Sequence, residues 1–322
     1  SFLLAELLPI RVKGKSEPAV IFALNDVQQG RGFHLATSTY TQPMVGRQAE
    51  LTLVAQKLAH QLGFPHHVID VSPVFQKEII DHFVGSYENG LTPSPCTRCN
   101  QKIRFGLLVD TLKEKLNLSD AYFATGHYVQ VSQKDDHFCV AKGIDPTKDQ
   151  SYMLYALSQA QLKNYISPLG TFLKREVRQI AADANLIAAH NPDSQDICFV
   201  KDSYQNFIAN YSHNEHKSGF FVNRAGKILG EHRGIAFYTV GQRRGLGIAA
   251  EKPLYVLEID AVSRNIVLGF AEEALKSELQ VQDVLWQIPP QNSELEAEVK
   301  IRYQTPEAHA RLKIKPDGRV AD

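Results

Sequence analysis

Leu51, Val54, Ala55, Leu58, Ala59 and Leu62 fall at i, i+3, i+4, i+7, i+8 and i+11, and Gly63 follows. That spacing predicts an amphipathic helix with a glycine C-cap. Short apolar runs alternate with such helical patterns through the first two-thirds of the chain. Ala19–Leu24, His67–Val71 and Asp120–Thr125 read as strands. Pro73 opens a helix with Ile79, Ile80 and Phe83 on its apolar face, and Ile103, Leu107, Leu108, Leu112 and Leu116 mark another. Residues 25–45 carry no period and read as a loop. Strand–helix alternation argues a parallel sheet covered on both faces, with ligands at the carboxyl ends of its strands, where Gly126 and His127 fall.

Tyr128–Lys142 then alternates as a hairpin around Lys134-Asp135-Asp136, and helices are expected near Ser158–Tyr165 and Lys174–Ala184. From about residue 218 the pattern is all β: Gly219–Val222, a turn at Asn223–Gly226, Lys227–Leu229, Pro253–Ile259 and Asn265–Gly269. Leu295, Ala297, Val299, Ile301 and Tyr303 alternate along one expected strand. Ala308–Lys315 leads into Pro316-Asp317-Gly318, a hairpin turn. The expected fold class is therefore α/β, a parallel-sheet nucleotide-binding domain followed by small β-barrel modules. Its boundaries are expected at 1–210, 211–275 and 276–322. The chain opens without Met in an apolar, helix-like stretch, Ser1–Leu8, and stops as the last strand returns, so it is expected to be a piece of a longer protein.

Composition narrows the classes. Lys+Arg and Asp+Glu are 35 each in 322 residues, so a uniformly basic nucleic-acid coat is excluded while a local basic face is not. Hydrophobic residues at 43% exclude a wholly disordered chain. No apolar run approaches the roughly 20 residues of a membrane span, so no membrane partner is expected. Four cysteines are too few for a disulfide scaffold and suit a reducing compartment with chemical use of some thiols.

The strongest local feature is Pro95-Cys96-Thr97-Arg98-Cys99-Asn100, a CxxC that opens a helix. A thiolate there gains from the helix dipole, and Arg98 adds positive charge. CxxC serves as a redox pair, half a zinc site or part of an iron–sulfur site. No second CxxC exists, which excludes a zinc site built from two such pairs. Cys198, between Ile197 and Phe199, reads by itself as a buried structural thiol, as does Cys139 in mid-hairpin. Gly14-Lys15-Ser16 lacks the upstream glycine of a phosphate loop, and Gly245-Leu246-Gly247 reads as a β-turn rather than a dinucleotide loop. His213 and His216 lie in a polar stretch and read as solvated.

Five ordered segments resemble the tRNA-specific 2-thiouridylase family: Thr92–Asn100, Ala124-Thr125-Gly126-His127-Tyr128, Lys148-Asp149-Gln150-Ser151-Tyr152, Ser194–Phe199 and Tyr238–Ile248. The resemblance covers roughly residues 46–305. It implies an ATP pyrophosphatase-type domain, yet the Ser-Gly-Gly-x-Asp-Ser phosphate loop of that class is absent from this sequence, and residues 9–45 match poorly. It implies ATP with Mg²⁺ as cofactors, a tRNA substrate, and a cysteine desulfurase or sulfur-carrier protein as partner. A cytoplasmic location follows, or an organellar one in a eukaryote.

The resemblance also implies roles. Cys198 would carry a persulfide and Cys99 would resolve it, with a transient Cys99–Cys198 disulfide. Ser94, Pro95 and Cys96 would flank the target base, Gly126 would contact ATP, and His127, Lys148, Asp149, Gln150, Arg302 and Tyr303 would contact tRNA. Some family members carry Asp where this chain has Cys96. Cys96, Cys99 and Cys198 together raise a [4Fe–4S]-dependent variant. Arg243, Arg244, Lys300, Arg302, Arg311, Lys313 and Lys315 form candidate phosphate-holding strips. The rivals are a catalytically inactive tRNA-binding remnant and a cysteine-based metal or redox protein.

Overall fold

A computed structural model describes residues 2–10, 19–25, 59–60, 62–63, 65–118, 121–186, 197–200, 202–315 and 320–321, with backbone alone at 2–10, 19–25 and 320–321. The first unit is built on a sheet of β1 (Phe2–Ile10), β2 (Ala19–Asn25), β3 (His66–Ile69), β4 (Tyr122–Thr125) and β7 (Tyr165–Ile166), in the order β3-β1-β2-β4-β7. β2, β4 and β7 run parallel. β1 lies antiparallel to both β2 and β3.

The sheet is thus mixed, and the opening residues are a strand where a helix was expected. The apolar run Phe2–Leu8 carries too little polar punctuation to choose between the two periods. Pairing on both edges, Leu3 with Asn25 and with Val68, decides for the strand by satisfying its backbone in the sheet interior. Most of the helix expected over Leu51–Leu62, and all but Asn25 of the loop expected over 25–45, lie outside the described residues; Asn25 closes β2. The end of that helix is described: Gly63 has φ +74° and donates its N–H to the His60 carbonyl at 3.2 Å, as a glycine cap should.

Helices cover the sheet. α1 (Ser72–Phe75) has Pro73 in its first turn and runs through a π-helical segment, Gln76–Asp81, into α2 (His82–Glu88). The wide turn lets the consecutive Ile79 and Ile80 both enter the core, each 1% exposed. α3 (Pro95–Cys99) passes through a second π segment, Asn100–Leu107, into α4 (Leu108–Leu116), which ends on Asn117 in the left-handed conformation. Cys99, Ile103, Leu108 and Leu112 from this run are buried with Phe75, Phe83 and Phe199.

The hairpin β5 (Val129–Lys134) and β6 (His137–Lys142) turns at Asp135, φ +53°. α5 (Gln159–Lys163) starts from a Ser158–Gln161 capping box, and α6 (Lys174–Asp183) and α7 (Tyr204–Tyr211) complete the unit. Gln159 covers the edge of β6, its Oε1 accepting from Phe138 N at 2.7 Å and its Nε2 donating to Phe138 O at 2.8 Å. The second sheet has the order β10-β11-β8-β9, from β8 (Gly219–Val222), β9 (Ile228–His232), β10 (Tyr255–Asp260) and β11 (Asn265–Gly269). Its core is Phe221, Val256, Ile266 and Leu268.

The last sheet joins β12 (Gln280–Val281), β13 (Glu294–Val299), β14 (Ala308–Ile314) and β15 (Val320–Ala321). Pro316-Asp317-Gly318 lies outside the described residues, but the strands it separates pair antiparallel. β13 ends at Val299, so Ile301 and Tyr303 do not continue its inward face. The Arg302–Thr305 turn, in which Thr305 N donates to Arg302 O at 3.2 Å, leaves Ile301 60% and Tyr303 39% exposed. The turn is held from outside: Arg302 donates to Val240 O of the second unit at 2.9 Å, and Ile301 O accepts from the Tyr152 hydroxyl of the first at 3.3 Å.

Candidate functional site: the thiol helix, the end of β4 and a tyrosine-lined face

α3 begins at Pro95, where the fixed φ of proline suits a first helical turn and its missing N–H costs nothing. Ser94 Oγ lies 3.0 Å from Thr97 Oγ1. Cys99 is 9% exposed and Cys96 half-buried. Arg98 Nε donates to Glu78 O and its terminal nitrogen pairs with the Glu78 carboxylate, both at 2.7 Å, which ties α3 to the helix beneath.

Cys198 sits in a turn whose next residue, Phe199, meets Phe75 at 6.0 Å and Phe83 at 5.2 Å between ring centroids, both edge-on. Arg98, beside Cys99, and Phe199, beside Cys198, therefore both dock on the Ser72–Glu88 helix. Cys198 is half-buried against the same core that buries Cys99. Cys139 lies on β6 and exchanges a 3.1 Å contact with Ser132 Oγ. Among the described residues no group of three or more His, Cys, Asp or Glu side chains is arranged to hold a metal ion. Cys96, Cys99 and Cys198 do not fit a cluster site as they stand, and His213 and His216 form none.

At the carboxyl end of β4, Gly126 is exposed, and a Cβ added to it would meet only Leu169 Cδ1, at 3.7 Å. The next side chain turns inward. His127 is 7% exposed, its Nδ1 2.6 Å from Thr125 Oγ1, which also lies 2.7 Å from the Tyr165 hydroxyl. Burial, seconded by the Arg104 charge, pushes the His127 pKa down to about 3. The imidazole is therefore neutral across the working range. Sequence spacing did not reveal this Thr125–His127–Tyr165 network, because its third member comes from a strand 40 residues away.

The sign of the linkage follows. The unfolded His127 gains a proton below about 6.5, whereas the folded one resists down to about 3, so its contribution to stability is intact above pH 6.5 and is lost as pH falls from there toward 3. His127→Gln should flatten that part of the urea-midpoint profile between pH 6.5 and 4. An NMR titration of the His127 ring should show no protonation between pH 8 and 5.

Gln150 clips this segment: its Oε1 accepts from Tyr128 N at 3.0 Å, and its own N–H donates to Tyr128 O at 3.1 Å. Asp149 Oδ1 accepts from Gly143 N at 3.0 Å and its Oδ2 from Ser151 Oγ at 2.7 Å. Lys148 N donates to Asp145 O at 3.1 Å. Asp145 is 7% exposed, and hydrogen bonds from Lys174 N and from Thr147 hold its carboxyl below the usual range. Nothing in the five quoted segments points to this aspartate.

Asn100 Nδ2 donates to Met153 O at 3.1 Å and Gln101 Nε2 to Ala156 O at 3.0 Å, tying the 148–157 stretch to the thiol helix. On its outer side Tyr152 meets Tyr303 at 6.1 Å, and Lys300 Nζ lies 5.8 Å from the Tyr303 ring. Arg302 reaches the turn of the Tyr238–Ile248 segment, where Gly241 has φ +86° and a Cβ would come within 3.1 Å of the guanidinium. Gly245 and Gly247, at φ +75° and +69°, are turn glycines as the sequence predicts. Hydrogen bonds thus link four of the five segments, directly, through Met153 or through the Ile301–Thr305 turn. Of Ser194–Phe199, only Ile197–Phe199 is described.

A nucleotide-binding-type α/β unit carrying paired thiols, followed by a small barrel, is the architecture this geometry defines. The family model described as tRNA methyl transferase HUP domain matches residues 22–202, and the one described as tRNA methyl transferase PRC-barrel domain matches residues 205–269. The chain is 44% identical over 273 residues to a protein of Syntrophomonas wolfei named tRNA-specific 2-thiouridylase MnmA, covering 84% of this chain and 79% of that one. It is 42% identical over 263 residues to the protein of that name from Synechococcus sp. strain JA-3-3Ab, covering 80% and 70%. The chain belongs to the tRNA-specific 2-thiouridylase family.

Proposed function

We propose that this protein is a tRNA 2-thiouridylase that replaces the C2 oxygen of the anticodon wobble uridine by sulfur at Cys99 and Cys198. The observation that carries the reading is the docking of both cysteine segments on the Ser72–Glu88 helix, through Arg98–Glu78 and Phe199–Phe83, in a chain of this family. The proposed division is 1–210, 211–275 and 276–322, with the tRNA held across all three.

Oxide is a very poor leaving group. ATP, with Mg²⁺ on its phosphates, would supply the adenylyl group: the C2 oxygen bonds to the α-phosphorus as pyrophosphate leaves, and it then departs as an oxygen of AMP. Cys198 holds a persulfide delivered by a cysteine desulfurase or sulfur carrier. Its terminal sulfur, soft and ionised near neutral pH, bonds to C2 as the C2–O bond breaks. The Cys99 thiolate then attacks the Cys198 sulfur, releasing 2-thiouridine and leaving a Cys99–Cys198 disulfide. An external dithiol must reduce that disulfide before the next turnover. Ser94, Pro95 and Cys96 flank the base, which has to leave its stack to be reached.

The ATP side is supported by the open surface at Gly126, where a ligand could approach the backbone closely. Lys148, Asp149, Gln150, Arg302 and Tyr303 are proposed as tRNA contacts. His127, whose ring is committed to Thr125 and whose carbonyl accepts from Ser167 Oγ at 2.8 Å, is proposed to join them by holding the Ala124–Tyr128 segment in place. No step is assigned to a [4Fe–4S] cluster. Among the described residues no helix is long and apolar enough to cross a membrane.

The test is 2-thiouridine formation, read by mass spectrometry of nucleosides from tRNA incubated with the protein, MgATP and a persulfide donor. Absence of product with a competent donor would overturn the reading. Gly126→Val adds volume into open space, so its melting temperature should stay within about 2 °C. Its KM for ATP should rise on the order of 10-fold, and an unchanged KM would remove Gly126 from the nucleotide site.

A further inference from the structure

Ser151–Leu157 carries an exposed aromatic surface that runs past the end of the Lys148–Tyr152 segment to Tyr155. Tyr155 is 55% exposed, too much for a core residue of its size. Its ring stands 6.0 Å from that of Tyr152, which in turn stands 6.1 Å from Tyr303. Tyr152 therefore sits between two outward-facing rings. The backbone beneath is fixed: Tyr155 O accepts from Gln287 Nε2 at 3.2 Å, and the neighbouring carbonyls of Met153 and Ala156 accept from Asn100 and Gln101. Asn100 and Gln101 directly follow Cys99. The aromatic ledge is thus coupled through two hydrogen bonds to the helix that carries the thiol. Lys300 and Arg302 border it with positive charge: Lys300 Nζ lies 5.8 Å from the Tyr303 ring, and the Arg302 charge acts on the Tyr152 hydroxyl.

A rigid ring array with one face to solvent and cations at its margin fits a nucleobase and its phosphates better than it fits an apolar protein surface. We infer that Tyr155, backed by Tyr152, is a stacking platform for the unpaired nucleotide next to the target uridine. This rests on the tRNA reading above. Extruding the uridine strips a neighbouring base of one stacking partner, and Tyr155 would replace it while the fixed ledge sets the distance from that base to Cys99.

The experiment is equilibrium binding of the full chain to an anticodon stem–loop RNA, followed by anisotropy. Tyr155→Ala should weaken binding about 5- to 150-fold, the span of one base–aromatic stack, while Tyr155→Phe should stay within about 2-fold. Replacing the nucleotide on either side of the uridine, in turn, by an abasic one closes a double-mutant cycle. On one side the abasic RNA should bind wild type and Tyr155→Ala equally weakly. Unchanged affinity of Tyr155→Ala, or additive losses on both sides, would overturn the platform. Circular dichroism melts check that the exposed substitution leaves the fold intact. Coupling in the cycle without thiouridine formation would sink the catalytic reading and keep this one. Thiouridine formation without coupling would do the reverse.

Discussion

Cys198→Ser is expected to lower 2-thiouridine formation by at least about 10³-fold, because an alcohol oxygen cannot carry a persulfide. Cys99→Ser should be as severe over repeated turnovers. The two defects differ in kind. With Cys198→Ser no sulfur reaches the protein, so labelled persulfide donor should leave no label on the chain. With Cys99→Ser the label should be retained on Cys198, because nothing resolves it. Both variants should bind tRNA within about 2-fold of wild type, since Cys99 is buried and Cys198 half-buried. Cys139→Ser, in the β5–β6 hairpin where the thiol meets Ser132 Oγ, should be neutral. Full thiolation by Cys198→Ser would remove that residue from the chemistry, and label retained on Cys198→Ser would place the acceptor elsewhere.

Periodicity located the helices that matter here because their apolar faces are wide and regular. Ile79, Ile80 and Phe83, and Ile103, Leu108 and Leu112, are all core residues. The turn glycines were legible for a related reason: a positive φ restricts the residue type so strongly that composition reports it. The opening strand was not legible, because Phe2–Leu8 has Glu6 as its one polar residue, too little to set a period, and only its pairing with β2 and β3 decides its state. The end of β13 at Val299 was hidden likewise. Leu295 through Tyr303 alternates perfectly, yet Arg302 and Tyr303 are drawn off by Val240 and Tyr152, more than 60 and 150 residues away.

The site shows the same division. The CxxC helix start could be read from Pro95, and the open Gly126 from its place after a strand. Two pairings could not be read. Arg98 is bound to Glu78, and His127 is a buried neutral ring held by Thr125. In each, the deciding partner comes from a different element: the helix beneath for Arg98, β7 for the network around His127. Tyr155 belonged to no recognised segment, and its exposure is a property of the folded surface alone.

Phe83→Ala should be the most damaging change outside the chemistry. The ring is fully buried and lies 5.0 Å from Tyr87, 5.2 Å from Phe199 and 6.2 Å from Phe207. Truncation leaves a cavity at the junction of α2, α7 and the Cys198 turn, which costs about 3–5 kcal/mol. In a unit of this size that corresponds to a fall in melting temperature on the order of 10 °C. Phe83→Leu keeps most of the volume and should cost under about 2 kcal/mol. The consequence for function is specific. Phe199 would lose its main edge-on partner, so the Cys198 turn should loosen while Cys99, held by its own helix, stays in place. Well below its melting point, Phe83→Ala should still accept label from a persulfide donor but pass sulfur to tRNA more slowly. Phe199→Ala should show the same split, and the double variant should be less than additive in stability because the two rings share one contact. Strict additivity, or a Phe83→Ala protein that thiolates at the wild-type rate, would mean that this aromatic cluster does not position Cys198.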